Sequence, residues 1–129
     1  MIQLTKTQVL RMHDALISAT GGTVGVRDDG LLEAALAAPF MTFDGNALHP
    51  ELLEKAAVLG YGLIKNHALV DGNKRIGAHA MLVCLALSGI RLHYTQAELV
   101  DIIMSIAAGE SSQEKLLEWL KLHQMHADE

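Results

Sequence analysis

The chain has 129 residues, half of them apolar, with 10 Lys and Arg against 15 Asp and Glu and a formal net charge of -5. That length suits one compact domain, 1–129, burying about two-thirds of the surface its unfolded chain would expose, with no need of a disulfide or metal staple. The acidic balance argues against nucleic-acid binding, which depends on clustered Lys and Arg. Met1-Ile2-Gln3-Leu4-Thr5-Lys6 lacks a basic stretch followed by a long apolar one, and the apolar run 80–87 falls far short of the ~20 residues that span a bilayer. Secretion and membrane association are therefore not expected, and a cytoplasmic location is. Cys84, the single cysteine, lies inside that run and reads as a buried reduced thiol.

Apolar residues recur at spacings of three and four, and strand signals are nearly absent, so the expected fold class is all-α. Thr5 and Gln8 form a capping box for a first helix with Val9, Met12, His13, Leu16 and Ile17 on one face, ending before Gly21-Gly22. Gly21 to Gly30 holds four glycines in ten residues and predicts an irregular loop or short hairpin. A small helix follows from Leu31 to Ala38, stopped by Pro39, then a loop over 40–48. His49-Pro50 opens a long helix to about Lys65. Asp71-Gly72 breaks the pattern, and a second long segment, apolar all round except for His79, runs from about Lys74 to Leu87 and ends near Gly89. It is expected to be the central helix, wrapped by the rest. Thr95 and Glu98 cap a helix carrying Leu99, Ile102, Ile103 and Ile106, closed by Gly109. Ser111 and Glu114 repeat the device for a last helix that buries Leu116, Leu117 and Leu120, with Trp119 partly, before a fraying tail, Gln124 to Glu129.

The chemistry concentrates in His67-Ala68-Leu69-Val70-Asp71-Gly72-Asn73-Lys74-Arg75. A neutral His67 can take a proton from a hydroxyl, Asp71 can hold Mg²⁺ beside bound phosphates, and Lys74 and Arg75 can neutralise a transferring phosphate. A helix starting at Asn73 or Lys74 turns its free N–H groups and the positive end of its dipole toward the loop, and Gly72 lets a phosphate approach the backbone. Taken singly, each residue has an ordinary reading: a structural histidine, a turn, a helix cap, a solvated first turn. Two cations in a first turn run against the dipole by about 0.3–1 kcal/mol each, which favours an anion there. His79, four residues after Arg75, reads either as a phosphate contact or as a core histidine. His13 reads as structural. His49, His93, His123 and His126 have no metal-ligand spacing with carboxylates or Cys84, so zinc is not expected.

The same nine positions resemble the signature of the Fic and Doc (death-on-curing) family, H-x-F-x-D/E-G-N-G-R-x-x-R in Fic proteins and H-x-F-x-D/N-x-N-K-R in Doc toxins. Lys74 places the chain on the Doc side. The Gly21 to Gly30 loop, the helix at Leu31 to Leu36 and the Gly89-Ile90 boundary resemble Doc proteins as well. The resemblance implies a compact helical fold and makes His67 the general base toward a Ser or Thr hydroxyl of a target protein. It implies Asp71 as the Mg²⁺ ligand, with Gly72, Asn73, Lys74 and Arg75, and His79 as a further candidate, around the nucleotide phosphates. The glycine-rich loop, through Gly22, Val24 and Arg27, corresponds to the flap that aligns the target.

Two departures from the Fic pattern bear on the reaction. Lys74 replaces the glycine that lets a Fic enzyme seat the α-phosphate, and Ala78 stands where a second Arg holds the γ-phosphate. Both disfavour AMP transfer. The resemblance instead implies a toxin that transfers the γ-phosphate of ATP, with elongation factor Tu as the family's known substrate. The alternatives are an AMP transferase and a Fic-fold binding module without catalysis. No Ser or Thr is followed four residues later by Glu, so the family's inhibitory helix is not supported, and a separate antitoxin acting in trans is expected.

Overall fold

A computed structural model describes residues 1–126. Helix α1, Lys6–Thr20, begins where its caps dictate: Thr5 accepts from the Gln8 N–H at 3.1 Å, and the Gln8 side chain accepts from the Thr5 N–H at 2.9 Å. Both amides would otherwise lack partners at the helix end. Asp28 caps α2, Asp29–Ala37, accepting from the Leu31 N–H at 3.0 Å. A 3-10 turn with Pro39 in its first turn, Ala38–Phe40, follows directly. The segment expected as a loop contains a small antiparallel hairpin, β1 Thr42–Phe43 and β2 Asn46–Ala47. Asp44 and Gly45 turn it at φ 52° and 79°, the conformation a two-residue hairpin loop needs.

Helix α3, Leu52–Lys65, and helix α4, Asn73–Leu87, pack against each other at the centre of the molecule. Ideal Cβ atoms explain how closely. One added at Gly77 would lie 2.6 Å from Ile64 Cγ1 and 3.1 Å from the Gly60 carbonyl, and one at Gly60 would lie 2.8 Å from Met81 Sδ. The expected central helix, α4, thus shares the centre with α3. Helix α3 packs on α2, the 3-10 turn, α5 (Gln96–Ala107) and α6 (Gln113–His123), whereas α4 rests on α1, α3 and α5. The pair divides the core in two. On one side Val9, Leu32, Leu36, Leu63, Leu69 and Ile76 pack together; on the other Ile64, Met81, Leu85, Ile106, Leu116 and Leu120 do. Cys84 is buried, and desolvation pushes its thiol above the ordinary value. No helix among the described residues is long and apolar enough to cross a membrane.

The Thr95 and Glu98 capping box opens α5 as expected. Ser112, one residue later than expected, caps α6, while the Ser111 hydroxyl meets that of Ser105 at 2.6 Å. Leu116 and Leu120 are buried, with Leu117 and Trp119 half-buried. The start of the expected fraying tail is held. Gln124 faces Leu92 in an antiparallel bridge, and Met125 donates to the Arg91 carbonyl at 2.8 Å. Residues 127–129 of that tail lie outside the described residues.

His123 ties this end to α5. Its Nε2 lies 2.9 Å from Glu98 Oε2, its Nδ1 lies 2.7 Å from the Trp119 carbonyl, and its ring stacks on Trp119 with centroids 4.2 Å apart. Both nitrogens face acceptors, which favours the doubly protonated ring. Desolvation alone would push His123 down; the Glu98 hydrogen bond, the Trp119 carbonyl and the Glu98 charge outweigh it and hold the imidazole above its ordinary 6.5. Glu98 is drawn down to about 2, first by the His123 hydrogen bond and then by Thr95.

Two outcomes follow from this packing. Gly77→Val forces a branched side chain into the α3–α4 contact and lowers unfolding stability by about 3 kcal/mol, read as a reduced urea midpoint at unchanged slope. Glu98→Gln keeps the capping box but removes the ion pair. The Glu98 contribution is present above its ordinary 4.5 and lost toward 2, and that of His123 is present below 6.5 and lost as pH rises through its higher folded value. The stability margin of the wild type over Glu98→Gln is therefore largest between about pH 4.5 and 6.5 in denaturant titrations, and a margin that keeps growing above that range contradicts the pairing.

Candidate active site

The loop from α3 to α4 is fixed by its neighbours at almost every residue. Asn66 ends α3, and His67 turns the chain at φ 49°, in the left-handed region that side chains other than glycine enter at a cost. Ala68 and Leu69 then plunge into the core, each 1% exposed. Asn73, the first residue of α4, reaches back and clamps Leu69, accepting from its N–H at 3.1 Å and donating to its carbonyl at 3.0 Å. The glycine-rich flap pairs along the outside. Val26 bridges Leu69 in antiparallel fashion, Val70 donates to the Gly25 carbonyl at 3.0 Å, and Arg27 and Asp28 both donate to the Ala68 carbonyl. Arg27 adds its guanidinium, donating to the His67 carbonyl at 2.6 Å and the Asn66 carbonyl at 3.3 Å. The backbone strain at His67 is thus held by a cation locked onto its carbonyl.

Asp71 stands at the end of this loop. Its Oδ2 accepts from the Thr23 N–H at 3.1 Å and its Oδ1 from the Gly72 N–H at 2.8 Å. These two amides, aided by Arg75 and opposed by desolvation, hold the carboxyl below its usual range. Gly22 must be glycine here: at φ 121°, a Cβ would sit 2.5 Å from Asp71 Oδ2 and 3.1 Å from Arg75 Nη2. Arg75 lies across the end of α1, donating to the Gly21 carbonyl at 2.8 Å and to the Thr20 hydroxyl, with Nη2 3.9 Å from Asp71 Oδ1. Helix α1 has no basic residue in its own last turn, so Arg75 supplies the cation that its carbonyl end favours.

His67, Val70, Asp71, Gly72, Asn73, Lys74 and Arg75, with Ala107 from α5, line a cleft of about 460 Å³. Gly72 is the N-cap of α4 at φ 74°, and no side chain caps this end, so the first amides of the helix are open to an anion. Lys74 and His67 are exposed at the cleft. Of the residues singled out from the sequence, His67, Asp71, Gly72, Asn73, Lys74 and Arg75 meet at the cleft, while Gly22, Val24, Arg27 and His79 lie outside its lining. Asn73 uses its amide on Leu69 and Arg27 its guanidinium on the loop backbone, so both act on the shape of the site in this structure. Val24 is 55% exposed, outside the lining. His79 is also exposed and outside it, which removes the core-histidine reading. The sequence did not reveal Thr20, Thr23 or His13 as members, because their partners lie some fifty residues away; only the spacing of His13 and Ile17 on one face of α1 hinted at a contact.

The arrangement brings an exposed imidazole, an uncapped helix start and an ionised hard carboxylate to one cleft. Among the described residues no group of three or more metal-ligating side chains occurs. Asp71, already ionised and partly exposed, has lone pairs left on both oxygens, and a single carboxylate of this kind fits Mg²⁺ shared with phosphate oxygens and water. Beside the cleft, Lys74, Arg75 and Ala78 also border an apolar groove of about 240 Å³ completed by Leu99, Val100, Ile103 and Met104 of α5.

A sequence profile described as the Fic/DOC family matches residues 3–85, from α1 through the flap and loop to near the end of α4. Over 89 residues the chain is 45% identical to Toxin Doc of Mycolicibacterium smegmatis, covering 67% of this chain and 68% of that protein. It is 26% identical over 121 residues to Protein kinase doc of Escherichia phage P1, covering 94% of each. With the expected helical architecture, flap and loop all present, the chain belongs to the Fic/DOC family.

Proposed function

We propose that the chain is a Doc-type toxin that transfers the γ-phosphate of ATP to a Ser or Thr hydroxyl of a target protein, with elongation factor Tu as the target the family resemblance implies. The observation that carries this reading is the shared cleft: His67 and Asp71 flank the uncapped start of α4, with Lys74 beside them. The names of the two relatives, a toxin and a protein kinase, support it. In the reaction, the target hydroxyl oxygen attacks the γ-phosphorus, its proton passes to the His67 imidazole, and the bond to the β-phosphate oxygen breaks to release ADP. Asp71 would hold Mg²⁺, which when bound neutralises charge on the phosphate oxygens. The α4 amides and Lys74 orient the phosphates, and Arg75 joins them on leaving the end of α1. Ala78, half-buried on α4, offers no cation for a further phosphate, which favours phosphate over AMP transfer.

A separate antitoxin would suppress such an activity in trans. The apolar groove between α4 and α5 adjoins the cleft and shares Lys74 and Arg75 with it, so an amphipathic segment laid there would also cover the phosphate-binding end of α4.

Incubation of the protein with Mg-ATP and elongation factor Tu, followed by intact-mass spectrometry, is expected to show one added phosphate; an added AMP would establish the transferase alternative instead. His67→Ala should lower the rate by at least about 10²-fold at unchanged far-UV circular dichroism. Unchanged activity in that variant would sink the assigned base. Asp71→Asn should lower the rate and raise the Mg²⁺ concentration for half-maximal activity, since a neutral amide loses the charge and can accept only one of the two hydrogen bonds from the Thr23 and Gly72 N–H groups.

A further inference from the structure

We propose that His13 is a positioning residue for this site, acting from the buried face of α1 on the peptide that carries Asp71. The inference rests on the nucleotide and metal reading above and extends it to a residue outside the motif. His13 is 1% exposed, and its Nε2 lies 2.7 Å from the Asp71 carbonyl oxygen. A carbonyl only accepts, so Nε2 carries the proton. Nδ1 is buried with no partner. An apolar side chain would fill the same volume without an orphaned polar atom, so packing alone does not account for an imidazole here.

What the imidazole accomplishes follows from the planarity of the peptide bond. The Asp71 carbonyl and the Gly72 N–H are opposite edges of one rigid plane. His13 holds the carbonyl edge; the N–H edge donates to Asp71 Oδ1 at 2.8 Å. Fixing one edge fixes the other, and with it one oxygen of the carboxylate, while the flap amide of Thr23 fixes the second. Little room for an alternative orientation is left beneath the turn. A Cβ on Gly72 would stand 3.3 Å from His13 Nε2 and 3.2 Å from Ile17 Cδ1, so α1 presses directly against it. Hydrogen-bonded partners of this kind orient a metal-binding group, and their loss typically weakens metal affinity or activity by about 10–100-fold.

The test compares wild type, His13→Leu and His13→Gln in binding Mn²⁺ together with a non-hydrolysable ATP analogue, followed by electron paramagnetic resonance and corrected for folded fraction. His13→Leu is expected to bind about 10–100-fold more weakly. His13→Gln, whose amide N–H can reach the same carbonyl, is expected to stay within a few-fold of wild type. Equal binding by wild type and His13→Leu overturns the role, as does equal weakening in both variants; a purely structural histidine would change the melting temperature and leave binding per folded molecule unaltered. If the wild type binds no metal nucleotide, the nucleotide-site reading fails and takes this role with it, an outcome distinct from wild-type binding that His13→Leu leaves untouched.

Discussion

The near-contact of α3 and α4 at Gly60 and Gly77 sets the frame on which the rest of the molecule depends. Without side chains at those two points the helices approach until Ile64 and Met81 fill the crossing, and the loop between Lys65 and Asn73 must turn within a fixed short span. A loop so confined has little freedom to relax, which is how His67 comes to be held in a left-handed conformation. Wider separation would let the loop sag, and His67, Asp71 and the start of α4 would lose their common cleft.

Charge is distributed with the same economy. An acidic chain keeps cations at the start of α4, where the helix dipole opposes them. Arg75 resolves the conflict in this structure by reaching the carbonyl end of α1, where a cation is favoured, so one residue links a helix that begins to a helix that ends. Lys74 has no such outlet and remains at the cleft. The two adjacent cations are therefore not equivalent: one is tethered and the other is available to an anion at once.

Much of the architecture was legible because it is written locally. Thr5 with Gln8 and Thr95 with Glu98 state their helix starts in four residues each, and both boxes formed. The same four-residue rule pointed to Ser111 with Glu114 for α6, but Ser112 takes the cap while the Ser111 hydroxyl is engaged with Ser105. The hairpin at Thr42 to Ala47 escaped notice because strands of two residues have no alternation to detect. Gly60 and Gly77 drew no notice in the sequence, because their meaning lies in a partner helix that the sequence does not display. For the candidate site, residue types clustered in one stretch located the cleft, but the division of labour within it did not show. Whether Asn73 faces a phosphate or its own loop, and whether Arg27 faces a target or the His67 carbonyl, depends on contacts across the fold that no spacing encodes.

The cleft draws on α1, the flap, the motif loop and Ala107 at the end of α5. During synthesis the flap leaves the ribosome long before the loop it pairs with, and the last lining residue emerges later still. A nascent chain that ends before α5 carries the whole nine-residue motif yet cannot enclose the cleft.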